Sequence, residues 1–256
     1  MIKDIDNIFN KSLDKKCLLY SGGLDSYIIY QLEKDNLDFI LYIDSKSKYS
    51  KYEIEYLKKQ KLDIPIIIDD RLDLSDVEMS NSYVPLRNLF FSMIAVLHGA
   101  SDILIGVTSG DRAKDKDTTF KKLTEDVINY QLESQWWHPG SKININMKYK
   151  NFTKKDLIEE YIRRRYDVRD LIDKSFSCYH PTKEGKECLS CKPDIRKYTF
   201  LSKYIDIGQE RKTALRKFYT KDIIIEIKER VNTSNSRGQE DLETLEAIER
   251  NFECQK

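Results

Sequence analysis

The sequence predicts an α/β protein with a parallel, doubly wound sheet and a helical C-terminal part. Three observations carry this. Short apolar runs alternate with amphipathic ones through the first 150 residues, a serine–glycine turn joins the first such pair, and the later chain has helical patterns around a cysteine cluster. Strands and helices alternating at this spacing form a sheet with right-handed crossovers, and ligands bind beyond the carboxyl ends of its strands.

After a short polar leader, Lys16–Tyr20 reads as the first strand and Asp25–Lys34 as the first helix. Phe39–Ile43 is a run of β-formers ending at Asp44, Tyr52–Lys59 has helical character, and Ile64–Ile68 is a third strand with a proline near its start. Pro85 is expected to open an apolar helix over Leu86–His98, and Ile103–Val107 is the next strand. A charged loop, Asp111–Asp117, leads to a helix over Phe120–Leu132 and an alternating stretch, Ile143–Met147. Thr153 and Asp156 form a capping-box pattern ahead of a helix over Leu157–Arg165. Beyond the cysteines, Ile195–Tyr204, Ala214–Tyr219 and Leu242–Phe252 read as helices, with Asn232–Gly238 a polar linker. The division expected is 1–150 for a nucleotide-binding α/β domain and 151–256 for a helical region with a metal knuckle at 178–191, the two packed as one unit.

Composition sets bounds. The chain has 256 residues, 34% charged and 40% hydrophobic, which fits a protein with a sizeable buried core. A net charge of +1 leaves no overall electrostatic footprint for nucleic acid. No apolar run reaches membrane-spanning length, and Met1-Ile2-Lys3-Asp4 is not a signal peptide. Five cysteines, three of them clustered, suit a reducing compartment and a metal site, so a cytoplasmic setting is expected.

The turn Ser21-Gly22-Gly23-Leu24-Asp25-Ser26 is the first candidate site. Glycines between a strand and a helix let the backbone approach a phosphate, where free N–H groups and the helix dipole favour negative charge. Ser21 and Ser26 add hydroxyl donors, and Asp25 would cap the helix or help hold Mg²⁺ with the phosphates. Asp44 and the segment after Val107 would meet the turn at the same end of the sheet. Arg87 and Asn88, on the first turn of their helix, put a cation and an amide within reach of a phosphate or an acyl-adenylate.

Cys178, Cys188 and Cys191 are the second candidate site, a Cys-x-x-Cys knuckle with another cysteine ten residues before it. Their surroundings, Lys183-Glu184-Gly185-Lys186-Glu187, are too polar for a packed core. The fourth ligand stays open between His180, Cys254 and an open position. Arg163-Arg164-Arg165 beside Glu159 and Glu160 reads as a solvated face, and His138 has no visible partner.

Ser21–Ser26 resembles the S-G-G-x-D-S signature of the PP-loop ATP pyrophosphatase superfamily. Val84-Pro85-Leu86-Arg87-Asn88, Gly106-Val107-Thr108-Ser109-Gly110-Asp111, Ser177-Cys178-Tyr179 and the knuckle with its trailing Arg196 follow in order. Together they resemble a divergent member of the 7-cyano-7-deazaguanine synthase (QueC/ExsB) family over about residues 17–200. The resemblance implies an adenine nucleotide alpha hydrolase-like (HUP-type) fold and an ATP-dependent carbon–nitrogen ligase with Mg²⁺ and Zn²⁺. It implies that 7-carboxy-7-deazaguanine is adenylated, that ammonia gives the amide, and that dehydration gives the nitrile. By it the Ser21–Ser26 turn holds the phosphates, Arg87 and Asn88 line the reaction centre, and Asp111 sits at the substrate end. Family members are often dimeric, which points to a homodimer.

Two departures bear on substrate and metal. The family's further knuckle cysteine aligns with Gly185, and its Tyr-Pro-Asp-Cys-Arg segment is replaced by the shorter, charged Asp111–Phe120. Another carboxylate, including a protein-borne one, is therefore an alternative substrate. A tRNA-thiolating enzyme with a three-cysteine iron–sulfur cluster is a second alternative, and a non-catalytic nucleotide-binding module a third.

Overall fold

The computed structural model describes residues 5–80 and 82–253. A short helix α1 (Ile5–Phe9) precedes β1 (Lys15–Leu19), and α2 (Leu24–Glu33) follows directly on the serine–glycine turn. Then come β2 (Phe39–Ile43), α3 (Ser50–Lys59), β3 (Ile66–Asp69), α4 (Arg87–Leu97), β4 (Ala100–Ile105), α5 (Thr118–Gln131) and β5 (Asn144–Asn146). The five strands form one sheet in the order β3-β2-β1-β4-β5, every pairing parallel. All five residues of β2 are buried, as a strand covered on both faces requires.

Two apolar cores lie on the two faces. One gathers Tyr27, Ile28 and Tyr30 of α2 with Leu157, Ile158 and Tyr161 of a later helix. The other gathers Cys17 and Ile103 with Ala95 and Val96 of α4 and Ile128 of α5. The doubly wound architecture is therefore the one expected from the sequence. Its strand order reverses direction between β1 and β4, and such a reversal opens a crevice at the strands' carboxyl ends.

Several boundaries moved, the fourth strand among them, which runs Ala100–Ile105 rather than Ile103–Val107, and two of the shifts have identifiable reasons. Strand β3 starts at Ile66 rather than Ile64, because Pro65 has no N–H to give the ladder and offers only its carbonyl, to Ile40, at 2.9 Å. Pro85 does not occupy the first turn of α4. The exposed Leu86 between them is the N-cap, in the left-handed region at φ 62, and the helix begins at Arg87.

The C-terminal part is helical: α6 (Lys154–Arg163), α7 (Asp170–Asp173), α8 (Lys192–Leu201), α9 (Gln209–Phe218), α10 (Lys221–Arg230) and α11 (Gln239–Glu253). The capping box forms as expected, the Asp156 N–H donating to the Thr153 hydroxyl and the Thr153 N–H to the Asp156 carboxylate. Helix α10 falls in a segment the sequence reading left without an element. Thr220 caps it by accepting from the Ile223 N–H, and Ile227 anchors it in the core. Ala247 and Ile248 of α11 are buried, so the last helix packs on the body of the chain.

Candidate active site

The serine–glycine turn sits where β1 ends, and its shape needs glycine at one position. Gly22 has φ +75, and a Cβ there would lie 3.2 Å from Leu57 Cδ2. The Ser21 and Ser26 hydroxyls lie 3.2 Å apart, and Ser26 also donates to the Gly23 carbonyl at 3.0 Å. Gly23 is the N-cap of α2, with no side chain capping the helix, so Asp25 does not serve as the cap. The capping contact comes from far along the chain, where the Leu24 N–H donates to Ser177 Oγ at 3.2 Å. The Phe176 N–H also donates to the Gly22 carbonyl, at 2.8 Å. The segment that opens the cysteine knuckle thus braces the turn.

A cavity of about 290 Å³ opens at this point, at the carboxyl ends of β1, β2 and β4. Ser21, Gly23, Leu24, Asp25 and Ser26 line it, and so do Arg87, Asn88 and Asp111. Gly22 does not; the side where its Cβ would stand faces Leu57, and its carbonyl is taken by the Phe176 N–H. Asp44 does not either; its buried carboxylate accepts from Lys46 Nζ at 2.7 Å and from the Lys46 N–H at 2.9 Å, while Ser45 takes the lining position.

The electrostatics pair almost every charge. Lys154, at the first position of α6, donates to both carboxylate oxygens of Asp25, at 2.5 Å for Oδ2. Burial holds the Lys154 ammonium below the usual lysine range, even against the pull of Asp25. Both Asp25 oxygens, which the sequence offered to Mg²⁺, accept from Lys154. Asp111 accepts from Lys116 Nζ at 2.8 Å and from the Thr108 N–H at 3.0 Å. Burial acts to raise the Asp111 carboxyl, but Lys116, Thr108 and Arg196 outweigh it and hold it below the usual range. Asn88 is tied to the charged loop, its amide donating to the Asp115 carbonyl at 3.1 Å. The Arg87 guanidinium lies 5.9 Å from the Phe91 ring centroid.

Several lining residues were not anticipated from the sequence, Lys154, Glu53 and Tyr49 among them. Lys154 was visible only as part of a capping box. Glu53 accepts from the Tyr42 hydroxyl at 2.8 Å, and burial pushes its carboxyl up to about 7. Tyr49 stacks on Tyr179 with ring centroids 4.7 Å apart, giving the cavity a flat aromatic wall.

The knuckle lies against the cavity, sharing Ser177 and Tyr179 with it. Cys178, Cys188 and Cys191 come together, with Cys178 and Cys191 sulfurs 4.0 Å apart. These three sulfurs and one carboxylate oxygen of Asp194 all lie within 4.8 Å of one another. His180 is not part of this group, and Cys254 lies outside the described residues. A set of three soft thiolates and a carboxylate within that span fits a single tetrahedral divalent ion. Gly185 has φ +75, so the loop bends where the family's cysteine would align.

Elsewhere the solvated Arg163–Arg165 face is as expected, whereas His138, read from the sequence as lacking a partner, has one in the Phe9 carbonyl. Glu160 pairs with both Arg163 and Arg164. His138 is buried, with Nδ1 2.7 Å from the Phe9 carbonyl and no part in the cavity. Among the described residues no helix is long and apolar enough to cross a membrane.

Comparison with known proteins agrees with this layout. The family described as "Queuosine biosynthesis protein QueC" matches residues 55–204. A 7-cyano-7-deazaguanine synthase from Leptospira interrogans is 30% identical over 217 residues, covering 74% of this chain and 87% of the relative. One from Rickettsia conorii is 26% identical over 208 residues, covering 69% and 89%. Among solved structures, the U34-tRNA thiolase NcsA from Methanococcus maripaludis overlays at a TM-score of 0.40 with 12% identity, over 99% of this chain and 78% of that one. A likeness that loose carries nothing about this chain's chemistry. The sequence matches are of another order, running through the α4 start, the charged loop and the knuckle alike, and by them the chain belongs to the QueC family of queuosine biosynthesis proteins.

Proposed function

We propose that this protein is an ATP-dependent ligase that makes 7-cyano-7-deazaguanine from 7-carboxy-7-deazaguanine and ammonia. The observation that carries this is the convergence of the Ser21–Ser26 turn, Lys154, Arg87 and Arg196 on one cavity. Such a cavity offers backbone and hydroxyl donors for a triphosphate, with cations on its walls.

The chemistry balances in two activations. A substrate carboxylate oxygen attacks the α-phosphorus of ATP, and pyrophosphate leaves. Ammonia adds to the acyl carbon and AMP leaves, giving the amide. The amide oxygen attacks the α-phosphorus of a second ATP and pyrophosphate leaves; loss of AMP from that carbon and of both N–H protons from the nitrogen then gives the nitrile. Each step makes a poor leaving group into a good one, and the charge that develops sits on departing phosphate oxygens.

This chain's residues have separate tasks in that scheme. Gly23, Leu24 and Ser26 with Ser21 hold the β- and γ-phosphates, and Lys154 sets Asp25 beside them. Arg87 offsets charge on the reacting phosphate, and the stacked Tyr49 and Tyr179 offer a flat face to a purine-like ring. Asp111, braced by Lys116, stands at the substrate end. Mg²⁺ bound to the nucleotide would offset phosphate charge. Cys178, Cys188 and Cys191 would hold Zn²⁺, which would supply structure by fixing the segment that braces the turn. The setting proposed is the cytoplasm, and a homodimer is the assembly that the family resemblance favours.

The test is direct. The protein is incubated with ATP, Mg²⁺, ammonium and 7-carboxy-7-deazaguanine, and mass spectrometry follows AMP together with amide or nitrile. AMP with either product supports the reading. Absence of AMP, with the protein folded and zinc-loaded, rejects it. AMP released only with a different carboxylate moves the substrate assignment and keeps the adenylation.

A further inference from the structure

Three cysteines leave one position of a tetrahedral ion to fill, and the fold delivers a carboxylate to it. Asp194 is fully buried. Its Oδ2 accepts from the Leu189 N–H at 3.1 Å and lies 3.5 Å from Cys188 Sγ, but its Oδ1 is buried with no hydrogen-bond partner. A buried carboxylate oxygen left without a partner is costly, and buried charges are ordinarily paired or bound to metal. The nearby buried cation does not answer it, because Lys197 Nζ is spent on Glu187 at 3.0 Å and on the Ser175 carbonyl at 2.6 Å.

The geometry points the same way. Zinc–ligand bonds of about 2.0–2.3 Å put the ligands of a tetrahedron roughly 3.3–3.8 Å apart. The separations here, 3.5 Å from Asp194 Oδ2 to Cys188 Sγ and 4.0 Å between the Cys178 and Cys191 sulfurs, are close to that, and a carboxylate oxygen of Asp194 lies within 4.8 Å of all three sulfurs. Cys188, Cys191 and Asp194 also recur at a step of three, with Cys191 the N-cap of α8 and Asp194 in its first turn. One helix start therefore delivers two donors to a single point.

We propose that Asp194 is the fourth ligand of this protein's zinc site, a Cys₃Asp set in which a carboxylate stands in for the thiolate missing at Gly185. This rests on the reading of the knuckle as a metal site. The net charge of the filled site is the same as with four thiolates, so the exchange costs no electrostatic balance. It also ties the ion to the first turn of α8. Arg196, two residues on, lines the cavity and pairs with Glu240, so the ion steadies the arm that carries a cavity cation.

X-ray absorption at the zinc edge on the full, zinc-loaded chain tests this without any substitution. The expected shell is three sulfurs at about 2.3 Å and one oxygen at about 2.0–2.2 Å, with no imidazole scattering. Competition with a chromogenic chelator should show Asp194→Ala weakening zinc binding by at least about tenfold, a loss that follows even from removing a group that merely supports a ligand. Asp194→Cys should bind at least as tightly as the wild type and show four sulfurs. A wild-type shell of four sulfurs, or one containing imidazole, overturns the proposal, as does an Asp194→Ala protein with unchanged affinity and shell. Should Asp194→Ala not fold, the wild-type spectrum decides. Undiminished zinc in Cys188→Ser, or no zinc bound by the wild type, would instead sink the metal reading itself, and this proposal with it.

Discussion

Lys154 and Asp25, 129 residues apart in the chain, form an ion pair at the mouth of the serine–glycine turn, the lysine buried and the carboxylate partly open to the cavity. The pair locks the start of α6 to the start of α2, two helices on the same face of the sheet.

Removing either partner should have a different signature. Lys154→Met frees Asp25 beside bound phosphate, and kcat/KM for ATP-dependent pyrophosphate release should fall about 100-fold with the fold retained. Asp25→Asn instead leaves a buried ammonium uncompensated, which should cost about 3 kcal/mol in urea denaturation as well as turnover. Equal stability of the two variants would show that the pair is not buried tightly enough to matter.

Ser26→Ala removes a hydroxyl that bonds both Ser21 and the Gly23 carbonyl. Stability should change by about 1 kcal/mol, while AMP formation should drop by two orders of magnitude or more (about 10²). A variant that turns over ATP normally would argue strongly against the turn as the phosphate site.

Glu53 should make stability depend on pH. Burial pushes its carboxyl up to about 7 from an ordinary value of 4.5. The folded state then holds a proton that the unfolded state has released. This contribution is fully present below pH 4.5 and is lost as pH rises through 7, about 3 kcal/mol in all. Glu53→Gln should therefore gain stability over the wild type between pH 5 and pH 8, read as the difference between paired thermal melts. A constant difference across that range would refute the assignment.

Gly110→Ala should be costly although no turn demands glycine there. A Cβ at this position would lie 2.5 Å from Glu240 Cδ, and Glu240 is buried and bonded to Arg196. Displacing it should cost about 1–3 kcal/mol and disturb a cavity cation, so the melting temperature and kcat should fall together. If Gly110→Ala melts like the wild type, the α11 start does not press on this loop as described.

Chelation tests the knuckle. Cys178→Ser, Cys188→Ser and Cys191→Ser should each lose zinc by elemental analysis and unfold at lower denaturant, because structural zinc contributes directly to folding. Retention of one zinc per chain in all three would remove the site.

Some of this protein was legible in one dimension. The alternation of apolar runs fixed a parallel sheet, since a strand buried on both faces must be apolar throughout, as Phe39–Ile43 is. The Ser21–Ser26 turn and the cysteine knuckle could be found because each works through neighbours in sequence. Backbone N–H groups at a helix start and a Cys-x-x-Cys pair are local objects.

What tertiary structure alone decided lies between segments distant in the chain. Lys154 reads as the first residue after a helix cap until the sheet's winding brings that cap over Asp25. Glu53 reads as one more charge on an amphipathic helix until Tyr42 and the cavity wall enclose it. Asp194 reads as helix-start acid until the knuckle folds back and leaves one of its oxygens without a partner. In each case the residue type is ordinary and its meaning comes from burial and from its neighbours' charge, which are set by long-range packing and leave no local pattern to read.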